Sequence, residues 1–120
     1  MILKENIPIS KTSLKVIRGL CARHGVDTRG INIVRNTGLT WQGAVACFSV
    51  MTPNTIYLCH DQKNLISLIP FIGHEVKHRD QYLRNRAVYL IRANPLWRKW
   101  TIEPEAYKEE NRIQEEINGK

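Results

Sequence analysis

Long apolar runs are missing from this 120-residue chain. The longest, Leu65 to Gly73, is interrupted by Ser67 and Pro70 and falls far short of the roughly 20 residues a membrane-spanning helix needs. No transmembrane segment is expected. Lys4 and Glu5 stand where a secretory signal requires uninterrupted apolar sequence, so a cytoplasmic location is expected. Cysteine is scarce and odd in number: Cys21, Cys47 and Cys59 are widely spaced, with no CxxC. Neither a disulfide framework nor a thiolate zinc site is signalled, and buried, reduced thiols are the expectation. Cys59 beside His60 does not make a ligand pair, because neighbours at a strand end point to opposite faces. Internal repeats and low-complexity segments are also lacking, and no histidine follows His78.

What is present is an ordinary globular composition, 42% hydrophobic and 24% charged, in a chain long enough for one modest core. Residues 1–120 are therefore expected to form a single domain. The net charge of +7 is unevenly spread. Residues 1–102 hold 15 Lys and Arg against five Asp and Glu, a balance of +10, whereas residues 103–120 hold three against six, a balance of −3. Lys77, Arg79, Arg84, Arg86, Arg92, Arg98 and Lys99 could build a nucleic-acid or acidic-protein surface. Without a nucleic-acid motif, a solvated helix face partly paired with the acidic tail is preferred, and nucleic acid is not predicted as a partner.

Ser10 or Thr12 can cap a first helix whose Leu14, Val16, Ile17, Leu20 and Cys21 follow helical spacing, and Arg23, His24 and Gly25 end it. His24 reads as a cap residue. Ile31 to Val34 predicts a strand, Asn36-Thr37-Gly38 a turn, Trp41 to Met51 a second strand with Gly43 as a bulge point, and Thr55 to Cys59 a third. A helix is expected from about Asn64 to about Asn85, with Pro70 kinking it or splitting off its first turn. A further helix over Ala87 to Trp100 is interrupted at Asn94-Pro95. The last starts near Glu103-Pro104-Glu105 and runs to about Ile117. Its apolar positions are sparse, so a surface helix is expected. The order gives an α+β domain: an N-terminal helix, a small three-stranded sheet, then helices. Trp41, Trp97 and Trp100 read as core or rim aromatics.

His74-Glu75-Val76-Lys77-His78 is the most informative stretch. HExxH on a helix places two imidazoles roughly 400° apart, on one face, so both reach one cation at about 2.0 to 2.1 Å. Glu75, about 100° round, reaches a water on the metal and not the metal itself, as a general base would. At this chain's His and Glu content the pattern arises by chance in about 1% of such sequences. A third ligand therefore has to be found, since a catalytic zinc takes three protein ligands and one open position. With no later histidine, the downstream candidates are carboxylates: Asp80, Glu103, Glu105, Glu109 and Glu110; His24 and His60 lie upstream. Asp80 faces away from the two histidines and suits a supporting or surface role. Glu103 to Ala106 begins a helix that can pack across the motif helix, with Glu105 as the alternative ligand.

A helix, a small sheet, HExxH and then Glu-x-x-Ala resembles the gluzincin class of zinc metallopeptidases in its smallest, zincin-like single-domain form. The resemblance spans roughly Leu14 to Glu110. It implies one zinc per chain held by His74, His78 and Glu103, with Glu75 as general base and Ala106 as the small residue that lets two helices approach. It also implies that Thr55, Ile56, Tyr57 and Leu58 form the edge strand on which a peptide substrate lies extended. Position 107 is Tyr where many members have Asp, so support for a histidine ligand must come from elsewhere, from Asp80 or a backbone carbonyl. Tyr107, Tyr82 or Tyr57 could supply a phenol to a developing oxyanion. The expected activity is zinc-dependent peptide hydrolysis. The alternative is a basic binding module in which zinc is structural or absent.

Overall fold

A computed structural model describes residues 6–36, 45–59, 64–94 and 98–119. The predicted positions Thr37, Gly38, Trp41, Gly43, His60, Pro95 and Trp97 lie outside the described residues. The chain forms an α+β domain, as expected from the element order. Strand β1 (Ile7–Pro8) leads into helix α1 (Lys11–Arg23), followed by β2 (Asn32–Arg35), β3 (Ala46–Phe48) and β4 (Thr55–Leu58). A 3-10 turn over Leu65–Leu68 then runs into α2 (Ile69–Arg84), and α3 (Arg86–Arg92), α4 (Arg98–Thr101) and α5 (Glu103–Ile117) complete the fold.

The local signals act as their chemistry dictates. Ser10 Oγ accepts the Ser13 N–H at 3.2 Å and caps α1. The helix closes on His24, and Gly25 turns the chain with φ of 77°. Pro70, which has no N–H to offer, sits in the first turn of α2, and the preceding turn separates as the 3-10 segment. Asn85 ends α2, and its Oδ1 accepts the Val88 N–H to start α3.

Among the described residues the sheet has four strands and not three, in the order β1-β2-β4-β3. The additional strand is β1, antiparallel to β2. Two residues are too short for an alternating pattern, and Pro8 is tolerated because it lies at an edge. β2 and β4 run parallel, with Asn32 to Arg35 opposite Thr55 to Leu58, and β3 folds back antiparallel to the far side of β4. The Thr55 to Leu58 strand is therefore not the edge that the resemblance implied. Its backbone pairs on both sides, and Ile56 and Leu58 are buried.

Ile17 and Cys21 of α1, Ile33, Ile56 and Leu58 of the sheet, and Ile69, Ile72 and Val76 of α2 form one continuous core. Helix α5 belongs to it. Ile113 and Ala106 are fully buried against α2, and full burial of one Ile side chain stabilises by about 1.5–3 kcal/mol. The surface-helix expectation fails because two well-placed apolar residues suffice when the partner helix offers Gly73. A Cβ built there would lie 2.3 Å from Ile113 Cδ1, so the glycine makes room for the crossing. Trp100 is exposed, contrary to a core or rim role.

Candidate metal centre

Helix α2 presents His74 and His78 one turn apart toward α5, both buried. The crossing at Gly73 brings the first turn of α5 over them. His74 Nε2 lies 3.1 Å and His78 Nε2 2.8 Å from Glu103 Oε1, and the two imidazole nitrogens are 3.2 Å apart. Among the described residues this is the one group of His, Cys, Asp and Glu whose atoms could together hold a metal ion.

The neighbours of the far ring nitrogens fix the tautomers. Gln81 Nε2 donates to the Ile102 carbonyl at 3.0 Å, which turns Gln81 Oε1 toward His78 Nδ1, also at 3.0 Å. An amide oxygen only accepts, so His78 carries its proton on Nδ1 and turns the lone pair of Nε2 toward Glu103. His74 Nδ1 faces Glu110 Oε1 at 2.9 Å. The nitrogen makes no regular hydrogen bond there, so the contact is a close electrostatic one, and it too favours the proton on Nδ1. Two imidazole lone pairs and a carboxylate oxygen thus point into one space. That arrangement is repulsive without a cation and suits one with nitrogen and oxygen ligands.

The charges around the cluster follow from burial and pairing. Burial pushes His78 below the ordinary imidazole range, against the pull of Gln81 and Glu103, and so favours the neutral ligand form. Burial also works to raise Glu103, yet the Arg98 guanidinium beside it helps to hold its carboxyl low. Arg98 donates through Nε at 3.0 Å and lies 2.9 Å away through Nη2, both to Glu103 Oε2, which leaves Oε1 for the imidazoles. Glu75 Oε1 accepts the Phe48 N–H of β3 at 3.1 Å, while Oε2 is 3.8 Å from His74 Nε2. Burial first, then the neighbouring Cys47 and Glu103, raise the Glu75 pKa to about 8, opposed by the Phe48 N–H and Arg98.

Four residues have roles here that the sequence does not assign them. Gln81 supports His78, and its spacing of i+3 from the ligand is the available signal. Glu110 does for His74 what Asp80 was expected to do; it lies seven residues, two turns, after Glu103 on the same face of α5. Arg98 anchors the third ligand instead of joining a free basic face. Tyr89, buried, sets its ring edge-on 6.3 Å from those of His78 and Phe48, and burial raises its phenol to about 12. Only the fold brings Arg98 and Tyr89 here.

The other candidates are sorted by contact. Tyr107 packs edge-on against His74 with ring centroids 4.7 Å apart and is half exposed. Tyr57 is occupied elsewhere, its hydroxyl 2.8 Å from Thr52 Oγ1, and Tyr82 packs on Phe48 and Tyr89. Glu105 lies 3.7 Å from Arg84 and outside the cluster. Asp80 lines a cleft behind α2 with Asp27 and Arg29. His24 caps α1 and holds Glu116 at 2.8 Å. Comparison with protein-family models, with curated proteins and with solved structures gives no match to this chain. No described helix is long and apolar enough to cross a membrane.

Proposed function

We propose that the protein is a small zinc-dependent metallopeptidase of gluzincin type, with His74, His78 and Glu103 as ligands and Glu75 as general base. The observation that carries this reading is the convergence of two Nε2 lone pairs and Glu103 Oε1, with the free oxygen of Glu75 3.8 Å from one of them. A set of two imidazoles and one carboxylate fits zinc and leaves its fourth position open. When bound, zinc supplies Lewis acidity and lowers the pKa of water toward about 7.

The chain's own groups account for the proton movements. Phe48 N–H fixes Glu75 Oε1, so Oε2 is the oxygen available to take a proton from the attacking water and later return it to the leaving amine. Burial raises that carboxyl in the metal-free chain, and a cation on the neighbouring ligands would draw it back toward the carboxylate form that a base needs. Gln81, Glu110 and Arg98 hold the three ligands in place. Among the described residues β3 is the sheet edge beside Glu75, so an extended peptide would pair there and not along Thr55 to Leu58.

The basic-module alternative is less well supported, because several cations of its supposed surface already have partners. Lys77 lies 3.7 Å from Glu109, Arg84 pairs with Glu105, Arg98 with Glu103, and Arg79 donates to the Pro53 carbonyl. The deciding experiment is zinc content together with cleavage of an unfolded protein substrate. The parent should hold about one zinc per chain and lose cleavage to chelator. Glu75→Gln should keep the zinc and lose about 10²–10⁴-fold in rate. A parent that binds no zinc, or cleavage that persists in Glu75→Gln, overturns the proposal.

A further inference from the structure

Two thiols meet outside the metal centre. Cys47 on β3 lies opposite Tyr57, and Cys59 directly follows β4, with its N–H donating to the Val45 carbonyl at 2.8 Å. Residues two apart on a strand share a face, so Cys47 and Cys59 are diagonal neighbours on one side of the ladder. Their Sγ atoms are 3.1 Å apart. That is roughly 1 Å longer than the covalent bond of a disulfide.

Three further observations single out this pair. Cys47 is half-buried and reachable from solvent, whereas Cys59 is fully buried behind it. The third cysteine, Cys21, is sealed in the core on α1. Among the described residues no third metal-ligating side chain joins the two sulfurs, which argues against a thiolate metal site. We propose that Cys47 and Cys59 form a reversible disulfide, with a small-molecule disulfide such as oxidised glutathione as the oxidant.

The sulfur contact also prepares the chemistry. In this contact Cys59 is the lower thiol and Cys47 the higher, so Cys59 is the first of the pair to lose its proton; the nucleophile on the sulfur that solvent reaches forms when Cys47 passes its proton to Cys59 across the 3.1 Å contact. The Cys47 thiolate attacks one sulfur of the oxidant, whose S–S bond breaks and releases a first thiolate. The Cys59 thiolate then attacks Cys47 Sγ, forming the protein disulfide and releasing the second. Two cysteine thiols are oxidised, one small disulfide is reduced, and the two released thiolates take up the two protons.

The next residue along β3, Phe48, holds Glu75 through its N–H. A covalent tie from Cys47 to Cys59 restricts opening of β3 from β4 and therefore fixes that donor.

The test is to equilibrate the intact protein with oxidised glutathione, alkylate the remaining thiols under denaturing conditions, and map the peptides by mass. The expected product has lost two hydrogens, carries a Cys47–Cys59 cross-link, alkylates at Cys21 alone and reverts with dithiothreitol. Cys59→Ser should stop at a glutathione adduct on Cys47, and Cys21→Ser should still cross-link. Exchange of the Phe48 amide hydrogen should slow at least tenfold on oxidation of the parent and stay unchanged in Cys59→Ser. A persistent glutathione adduct on parent Cys47, a cross-link to Cys21 or between chains, or no reaction overturns the assignment. Unchanged Phe48 exchange in the oxidised parent overturns the link to Glu75.

Discussion

Substitution of Gly73 by Ala tests whether the α2–α5 crossing is set by a missing side chain. The new Cβ would stand 2.3 Å from Ile113 Cδ1, while its next contacts, Val26 Cγ2 at 3.4 Å and Glu109 Cγ at 3.8 Å, are tolerable. Carbon atoms pack best near 3.5–4.0 Å, so Ile113 Cδ1 must yield by more than an ångström inside a fully buried site. Such overpacking costs about 1–3 kcal/mol. Replacing glycine within a helix returns about 1 kcal/mol, leaving Gly73→Ala destabilised by roughly 0–2 kcal/mol. Ile113→Val removes Cδ1 and alone costs about 0.5–1.5 kcal/mol. In the double variant the clash disappears while the helix gain remains, so its stability should lie within about 1 kcal/mol of the parent and the coupling should be at least 1 kcal/mol. Urea unfolding of the four proteins measures the cycle. Additivity within about 0.5 kcal/mol would show that Gly73 does not set the crossing.

Zinc that binds only the folded chain should stabilise it by about 2.7 kcal/mol at a hundredfold excess over Kd, a rise of roughly 10 °C in Tm for a domain of this size. Glu103→Ala should lose most of that rise in differential scanning fluorimetry, and an undiminished rise would remove Glu103 from the ligand set. Gln81→Ala should weaken zinc binding about 10–100-fold in a competition titration with a chromogenic chelator; an unchanged affinity would mean that the His78 tautomer needs no such support. In the metal-free protein two buried groups pull the pH dependence in opposite directions: Glu75, raised to about 8, favours the folded chain as pH falls, and His78 disfavours it. Because burial lowers His78 in the folded chain, the stability due to its neutral form is complete above the unfolded imidazole pKa and is lost as pH falls through the folded value. The difference in urea midpoint between parent and His78→Gln should therefore shift against the parent from pH 7.5 to pH 5, and parallel profiles would remove His78 as a source of acid destabilisation.

The sequence carried most of the helix chemistry, because caps and breakers act within a few residues. Ser10, Gly25, Pro70 and Asn85 each do in the fold what their local chemistry requires. HExxH was legible for the same reason, since its meaning depends only on a helical repeat. Glu103 was reached by resemblance and by the lack of later histidines, and the fold places it on both imidazoles. Strand order was not legible. Nothing within Thr55 to Leu58 tells whether its second edge is open, because that depends on where β3 returns.

The supporting residues mark the same boundary more sharply. Gln81 and Glu110 obey helical spacing from known ligands, so they could have been found once those ligands were fixed. Arg98 lies on a separate four-residue helix and reaches Glu103 only through the chain's path into α5. The Gly73–Ile113 contact explains why this boundary falls where it does. A glycine inside a helix weakens the local signal, yet that same loss of a side chain permits the approach that carries Glu103 and Glu110 to the histidines. Local propensity and the site's geometry oppose each other at Gly73, and the contact with α5 decides the outcome.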